Sequence, residues 1–294
     1  MVLQISHALL DCGDGRRLDV FGELLVDRPA PGALETRRAP ERWAAAAVFH
    51  RGSGWWQADG TPLAETGHPV AIAGVTMEVR PTSSGQVGLF PEHAANVAWL
   101  QAAVRTRRVA IEAGGNPPEV LNLFAYTGLA TLAVAREGAG VTHVDGSRPS
   151  VLWARRNAEL SGLAAAPIRW IVDDALEFVR REARRGREYG GLIVDPPSYG
   201  HGAGGRSGRR WQFEERIDEL LGACGTIAAP AAFWLLTAHT PGWDHARLAT
   251  VLRAATGARA GAIEALPLEL AAESGAILRL GAAARLDPLR GDRR

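Results

Sequence analysis

One stretch of the sequence, residues 120–128, restricts the possible folds more than any other. An apolar run begins at residue 120 and ends in a turn of small residues at Thr127 and Gly128, and a helix-compatible segment, residues 129–137, follows. The order of strand, tight turn and helix is the beginning of a βαβ unit. In such a unit the carboxyl end of the strand and the N-terminus of the helix form a crevice, where backbone N–H groups can face a ligand.

A second apolar run, residues 141–144, ends in Asp145, which lies 17 positions after Gly128. A carboxylate at the tip of the second strand can accept hydrogen bonds from both hydroxyls of a ribose. The turn at residues 122–128 lacks the three glycines with which a dinucleotide site approaches a pyrophosphate. Together these two features favour a nucleoside-like ligand without a pyrophosphate.

Acidic residues also follow the next two predicted strands. These strands lie at residues 168–172 and 192–194, and they end in Asp173-Asp174 and in Asp195. Because the carboxyl ends of parallel strands share one edge of a sheet, the residues at all four strand ends should converge there. A single acid after a strand is more often a turn former or a helix cap than a ligand, but four successive strand ends favour a binding site. The four positions are Gly128, Asp145, Asp174 and Asp195.

The rest of the chain predicts an α/β domain and a smaller β-rich one. From residue 120 onwards strands alternate with helices, which favours a parallel sheet with helices on both faces. The last two strands, near residues 263–266 and 277–280, have no long helix between them, so we expect an antiparallel end to the sheet. Residues 1–90 contain short apolar runs, such as residues 18–26, separated by glycine, proline and aspartate. We therefore predict a β-rich N-terminal domain over 1–90 and the α/β domain over 91–294.

Composition excludes several classes of protein. In the 294-residue chain 47% of the residues are hydrophobic, which is typical of a globular protein and not of a disordered one. Its net charge of +1 gives no indication of a polyanionic partner. Its two cysteines, Cys12 and Cys224, cannot form a disulfide framework or a zinc site by themselves, and we predict no metal site. No apolar stretch reaches membrane-spanning length and the N-terminus has no signal-peptide pattern. A soluble, cytoplasmic protein is expected, with no membrane partner.

The run Asp195-Pro196-Pro197-Ser198-Tyr199 carries the most specific chemical signal. Two prolines fix the backbone after the strand and hold its carbonyl groups in place. A carboxylate and a proline carbonyl can then accept hydrogen bonds from an exocyclic amine, while Tyr199 can stack on a ring. The alternative, an Asp-Pro turn that only caps the strand, is less favoured because acids also end the neighbouring strands.

Two flanking segments allow two interpretations each. Residues 86–93, which include Phe90, precede a predicted helix at residues 94–106, and they could close over the bound ligand or form a plain linker. The loop at residues 200–211 is rich in glycine and arginine, and it could be a lid that meets phosphates or an ordinary solvated loop. The adjacent tryptophans Trp55 and Trp56 are expected to be buried in a strand rather than exposed as a stacking platform.

Residues 86–280 resemble the class I S-adenosylmethionine-dependent methyltransferases. More narrowly they resemble the family of bacterial large-subunit rRNA methyltransferases of the cytosine-C5 and guanine-N7 types. Five segments occur in the family's order and carry the resemblance. They are Gly88-Leu89-Phe90-Pro91-Glu92, Leu121-Asn122-Leu123-Phe124-Ala125-Tyr126-Thr127-Gly128, Val144-Asp145, Asp173-Asp174-Ala175 and Asp195-Pro196-Pro197-Ser198-Tyr199.

The resemblance implies a Rossmann-like, doubly wound and mostly parallel sheet, S-adenosylmethionine as cofactor and RNA, in particular rRNA, as partner. The turn up to Gly128 would hold the methionine part of the cofactor, Asp145 the ribose hydroxyls and Asp174 the adenine amine. Asp195, Pro196, Pro197 and Tyr199 would border the methyl-accepting group. The full predicted cofactor set is Phe90, Asn122, Phe124, Ala125, Tyr126, Thr127, Gly128, Asp145, Gly146, Ser147, Asp173, Asp174 and Ala175.

One departure from the family affects the chemistry. Cytosine-C5 transfer needs a thiolate that adds to the ring, and the family members that perform it carry a cysteine at the end of the strand after the Asp-Pro-Pro strand. Here that strand is followed by Thr237-Ala238-His239-Thr240, without a cysteine. Cys12 and Cys224 lie elsewhere and are predicted to be packing residues. Transfer to a nitrogen needs only positioning of the acceptor, so it is favoured over C5, with His239 as a candidate base.

Three functions therefore remain open on the sequence. The favoured hypothesis is a methyltransferase acting on a base of RNA, in particular rRNA, at nitrogen. A methyltransferase of the same fold acting on a small molecule or a protein side chain is the alternative, because the charge is near neutral and no RNA-binding module is evident. A module that binds the cofactor without transferring a methyl group is the third.

Overall fold

The computed structural model describes residues 7–112, 117–200, 211–259 and 261–290. The chain divides into two compact units. The first contains Met1–Ala94 together with Leu268–Leu280, and the second contains Ala95–Pro267 and Gly281–Arg294.

The first unit is built on a five-stranded sheet in the order β1-β2-β3-β4-β5. A separate hairpin, β6-β7, and two short 3-10 helices, Pro40–Trp43 and Pro91–His93, complete it. The apolar run at residues 18–26 is divided between two strands because Gly22, with a φ of 62°, forms a turn inside it. The strands are β1 His7–Gly13, β2 Arg16–Phe21, β3 Leu24–Pro29, β4 Ala47–His50, β5 Gly54–Trp56, β6 His68–Ile72 and β7 Val75–Val79.

A segment distant in sequence also belongs to the first unit, whereas the sequence placed all of residues 91–294 in one domain. Ala272, Ala276 and Leu278 are buried in one small apolar cluster with Leu9 and Cys12. Burial of these side chains ties residues 268–280 to the first unit, although β15 begins in the second unit and β16 ends there. Of the two adjacent tryptophans in β5, Trp55 is buried and Trp56 is half-buried.

A seven-stranded sheet in the order β10-β9-β8-β11-β14-β16-β15 dominates the second unit. Its first five strands, from β10 to β14 in that order, pair in parallel, whereas β16 is antiparallel to β14. The predicted fold class, a doubly wound mostly parallel sheet with an antiparallel end, is confirmed. The strands are β8 Glu119–Leu123, β9 Gly140–Asp145, β10 Ile168–Val172, β11 Tyr189–Val194, β14 Ala228–Ala238, β15 Ile263–Ala271 and β16 Ile277–Leu286, and the short pair β12 Tyr199–Gly200 and β13 Trp211–Gln212 lies outside the sheet.

Local sequence signals explain where the helices of this unit begin. Ser147, Asp174 and Asp244 each accept a hydrogen bond from the backbone N–H three residues later, so each caps the helix that follows it. The structure extends the predicted helix at residues 94–106 to Glu112. The helices are α1 Ala94–Glu112, α2 Leu129–Arg136, α3 Arg148–Leu160, α4 Ala175–Arg184, α5 Phe213–Gly225 and α6 His245–Thr256.

The core of the second unit fills the space between the sheet and its helices. Leu121, Leu192 and Trp234 from adjacent strands pack with Phe178 of α4 and Leu220 of α5. Acidic residues of α4 neutralise arginines of this segment, since Glu177 pairs with Arg180 and Glu182 pairs with Arg185 at the C-cap. Among the described residues, no helix combines the length and the apolarity needed to cross a membrane.

Candidate active site

The four strand ends singled out by the sequence lie side by side in the sheet. In the parallel register Leu123 is paired with Val194 on one side and with Val144 on the other, and Val144 is paired with Ile171. The chain leaves β8 for β9 and β10 on one side and returns to β11 on the other, so the strand order reverses between β8 and β11. A reversal of this kind opens a crevice at the carboxyl ends of the strands.

The turn between β8 and α2 has a constrained backbone. Phe124 and Tyr126 have positive φ values of 55° and 48°, a conformation that costs a residue with a side chain roughly 1–2 kcal/mol. Gly128, with a φ of 92°, precedes α2, and a Cβ added there would lie 3.1 Å from the Cβ of Ala154. Such a turn persists only if its surroundings hold it, and three groups outside it do so.

Asp145, Asn157 and Val144 hold the backbone of the turn. The Tyr126 N–H donates to Asp145 Oδ2 at 2.8 Å, and the side-chain amide of Asn157, which is fully buried in α3, donates to the Thr127 carbonyl at 2.9 Å. The Ala125 N–H donates to the Val144 carbonyl at 3.1 Å. Two neighbouring elements, β9 and α3, therefore hold the turn in place.

A chain of buried polar side chains lies beneath the turn. Asn122 Nδ2 donates to Thr131 Oγ1, which is also 2.9 Å from His143 Nδ1. Burial lowers the pKa of His143 to about 3, so this imidazole is neutral near neutral pH. The side chain of Asn122 connects β8 to α2, and its predicted role in cofactor binding remains a prediction.

Asp145 is placed at the end of β9 as predicted. Its Oδ1 accepts from the Ser147 N–H at 2.8 Å, so each carboxylate oxygen has one backbone donor. Burial raises the pKa of this carboxyl above its ordinary value. A carboxylate offers about four lone-pair sites, so about two remain for the hydroxyls of a ribose. These acceptor positions fit the ribose hydroxyls of S-adenosylmethionine.

The residues around Asp145 and Asp174 serve local structure as well. Ser147 is exposed and its hydroxyl caps α3, and Gly146 is half-buried between it and Asp145. Asp174 Oδ1 caps α4 by accepting from the Glu177 N–H at 3.0 Å. The helix-cap role considered for a lone strand-end acid is thus present at Asp174. The cap occupies Oδ1, so Oδ2 of Asp174 can accept a hydrogen bond from a ligand.

Asp173 and Ala175 flank this cap. Asp173, just before the cap, forms an ion pair with Arg181 of α4, and its Oδ1 accepts from the Asp174 N–H. Ala175 is buried in the core at the start of α4. Their roles in cofactor binding remain predictions.

Asp195 begins the turn that follows β11. The hydroxyl of the buried Thr237 donates to Asp195 Oδ1, and His239 Nε2 lies 3.7 Å from the same oxygen. Pro196 is buried, whereas Tyr199 is 78% exposed at the end of the turn. The carboxylate and the aromatic ring therefore both lie in the segment after β11, and their role beside the methyl-accepting group remains a prediction.

Trp211 was not identified as a site residue from the sequence. Its indole Nε1 donates to the Pro197 carbonyl at 2.7 Å, and the centroid of its ring lies 4.8 Å from that of the Phe124 ring. Because the Pro197 carbonyl is engaged, the carbonyl of Pro196 is the better candidate for accepting a hydrogen bond from a ligand. The only sequence signal was the position of Trp211 at the end of the loop that follows Tyr199.

Two predicted segments lie outside this unit or outside the described residues. Phe90 belongs to the first unit, where it precedes the short helix Pro91–His93, and its role in cofactor binding remains a prediction. Residues 201–210 of the glycine- and arginine-rich loop lie outside the described residues.

Comparisons with known proteins agree with the fold. No protein-family model matches the sequence. Curated relatives include the ribosomal RNA large subunit methyltransferase K/L of Shewanella frigidimarina, 30% identical over 53% of this chain and 20% of the relative. The ribosomal RNA large subunit methyltransferase I of Aeromonas salmonicida is 31% identical over 41% of this chain and 27% of the relative. The chain spans about a fifth to a quarter of the length of these relatives.

One solved structure matches nearly the whole chain. The crystal structure of the SAM-dependent methyltransferase from Agrobacterium tumefaciens superimposes with a TM-score of 0.85 and 34% sequence identity. The match covers 96% of this chain and 90% of the other. Because fold and sequence agree over almost the full length of both chains, this chain belongs to the S-adenosylmethionine-dependent methyltransferases and uses S-adenosylmethionine as its cofactor.

Proposed function

We propose that this enzyme transfers the methyl group of S-adenosylmethionine to a nitrogen of a base in ribosomal RNA. The observation that carries the proposal is the turn from Asp195 to Tyr199, which presents a carboxylate and an exposed aromatic ring at the carboxyl end of β11, next to the turn that follows β8. A planar base could stack on Tyr199 while its amine donates to Asp195 or to the Pro196 carbonyl.

The cofactor would lie along the adjacent strand ends. Asp145 would accept from the ribose hydroxyls, and Asp174 would accept from the adenine amine. The turn at residues 124–128 would hold the methionine part, which carries both an ammonium and a carboxylate group, through its backbone groups. When bound, the cofactor supplies a methyl group on a positively charged sulfur.

The protein contributes to the reaction by positioning the acceptor nitrogen relative to the methyl group. In the transfer a nitrogen lone pair forms the new N–C bond, the S–C bond breaks and its electron pair remains on sulfur, and the nitrogen loses a proton. Holding the nitrogen in line with the S–C bond accounts for most of the rate that such a site can provide. Asp195 would orient the amine, while His239, 3.7 Å from Asp195, is the candidate to receive the proton.

Nitrogen is favoured over C5 because a reactive thiol is lacking. Cys224 is fully buried in α5, and burial raises the pKa of its thiol to about 12. Cys12 is buried in the first unit, and burial raises the pKa of its thiol as well. Both are packing residues as predicted, and a protonated, inaccessible thiol cannot add to a pyrimidine ring.

Replacement of both cysteines by alanine is expected to leave methyl transfer within about twofold of the wild-type rate, because neither thiol takes part in the reaction. The cost is confined to stability, about 1 kcal/mol for each small cavity. Labelled-methyl transfer and thermal unfolding measure the two effects separately. Loss of transfer in a variant that remains folded and binds S-adenosylmethionine would support C5 chemistry instead.

RNA is proposed as the acceptor because the curated relatives are named as rRNA methyltransferases, although the chain matches only part of them. Affinity for a transcribed large-subunit rRNA fragment should fall steeply between about 50 and about 200 mM salt, since contacts with phosphates release counterions. The affinity for S-adenosylmethionine should change little over the same range. No RNA binding at the lower salt concentration would favour a small-molecule or protein acceptor.

Tyr199 offers a matched pair of variants for the acceptor. Tyr199→Ala should lower methyl transfer to RNA by about tenfold or more, because base–aromatic stacking contributes roughly 1–3 kcal/mol. Tyr199→Phe should retain most of the transfer, since the ring remains. Both should bind S-adenosylmethionine normally and remain folded, because the side chain is 78% exposed. Equal rates for the alanine and wild-type proteins would exclude stacking on this residue.

Cofactor affinity should depend on pH through Asp145. Its ionised form would accept both ribose hydroxyls, and burial raises its pKa above the ordinary 3.8. As the pH falls through that raised pKa, the carboxyl becomes protonated and the affinity falls, starting at a higher pH than for an exposed aspartate. Isothermal titration calorimetry with S-adenosylhomocysteine between neutral and acidic pH measures this dependence. An affinity that stays constant until the protein unfolds would argue against the ribose contact.

A further inference from the structure

The side chain of Trp211 contacts both turns of the candidate site. The centroid of its ring lies 4.8 Å from that of Phe124, at an interplanar angle of 55°. Phe124 belongs to the turn proposed to hold the cofactor. The Trp211 indole N–H donates to the Pro197 carbonyl, in the turn proposed to border the acceptor. The residue is only 4% exposed, so water does not compete for either contact.

The backbone around Trp211 reinforces these contacts. Trp211 is paired with Gly200 in the short antiparallel ladder of β12 and β13, and a Cβ added to Gly200 would lie 3.4 Å from the Trp211 Cβ. The Phe213 N–H donates to the Ser198 carbonyl at 3.1 Å. A shift of the Trp211 ring would therefore move the acceptor turn as well.

We propose that Trp211 is a positioning residue that couples cofactor binding to the geometry of the acceptor turn. When the cofactor settles against Phe124, the ring of Trp211 is held in one place and its N–H fixes the Pro197 carbonyl. The segment from Asp195 to Tyr199 is thereby held in the arrangement that receives the base. A small misplacement of reacting atoms costs a large factor in rate. The coupling therefore speeds transfer by setting the geometry of the acceptor turn once the cofactor is bound. The inference rests on the proposed roles of the two turns.

Hydrogen–deuterium exchange tests the coupling without an acceptor. In the wild-type protein S-adenosylhomocysteine should slow exchange in a peptide spanning residues 192–200. Trp211→Phe keeps a ring beside Phe124 but removes the indole N–H, so this variant should bind S-adenosylhomocysteine within about threefold of wild type yet lose the slowing at residues 192–200. Its methyl transfer should fall by about tenfold or more.

Trp243→Phe is the matched control. Trp243 is also buried, but its indole N–H donates to Glu214 rather than to either turn. The control should keep both the slowed exchange and the transfer rate. Slowed exchange that persists in folded Trp211→Phe, or no slowing in the wild-type protein, would overturn the coupling. Absence of transfer to RNA by the wild-type protein would instead contradict the proposed function and leave the exchange result to decide the coupling.

Discussion

Asp145→Ala is expected to weaken S-adenosylmethionine binding by about 100-fold. Two hydrogen bonds from the ribose hydroxyls to a charged acceptor would be lost, at about 1.5 kcal/mol or more each. The Tyr126 and Ser147 N–H groups would also lose their acceptor, so the constrained turn after β8 would be less firmly held. Isothermal titration calorimetry with S-adenosylmethionine and with S-adenosylhomocysteine measures the change.

Asp244→Ala is the control for this variant. Asp244 also accepts a backbone N–H, that of Arg247, but it caps α6 and is exposed. Its replacement should lower stability by about 1 kcal/mol, as for the loss of other helix caps, and should leave cofactor binding unchanged. If folded Asp145→Ala bound the cofactor within about threefold of wild type, the assignment of Asp145 to the ribose would be wrong.

Asp195→Ala is expected to have the opposite profile, with cofactor affinity retained and turnover reduced by about 100-fold or more. The carboxylate would contact the acceptor rather than the cofactor, and its removal also releases the Thr237 hydroxyl and the neighbouring His239. Calorimetry with S-adenosylmethionine and the rate of labelled-methyl transfer separate the two properties.

Asp195→Asn separates the contribution of hydrogen bonding by Asp195 from that of its negative charge. The amide can still accept from Thr237 and from an amine, but it has no negative charge. Partial activity in this variant would assign Asp195 a hydrogen-bonding role, and activity as low as in the alanine variant would assign the role to its charge. Full activity of Asp195→Ala in transfer would contradict its place at the acceptor.

The sequence predicted the sheet edge because its signals are local. An apolar run followed by an acid marks a strand end wherever it occurs, and Ser147 with Pro149 marks the start of α3. The parallel order then follows from the alternation of strands and helices. For this reason the sequence alone assigns Gly128, Asp145, Asp174 and Asp195 to one edge.

The contacts that hold the site were not predictable in this way. Phe124 and Tyr126 adopt a left-handed conformation that residues with side chains rarely take. Hydrogen bonds from the turn to Asp145 and Val144, and from Asn157 to the turn, help to hold it. Trp211 reaches the Pro197 carbonyl across 14 positions of sequence. Asn122 matched a cofactor segment by its place in the sequence, but its side chain is buried against α2.

Methyl transfer to RNA tests the proposed function most directly. The purified protein would be incubated with methyl-labelled S-adenosylmethionine and unmodified, transcribed large-subunit rRNA, with Asp195→Ala as the matched control. We expect label in the RNA with the wild-type protein only, and digestion to nucleosides should locate it on a base nitrogen. Label on C5 of a pyrimidine would contradict the nitrogen chemistry, and no label despite measurable cofactor binding would contradict RNA as the acceptor.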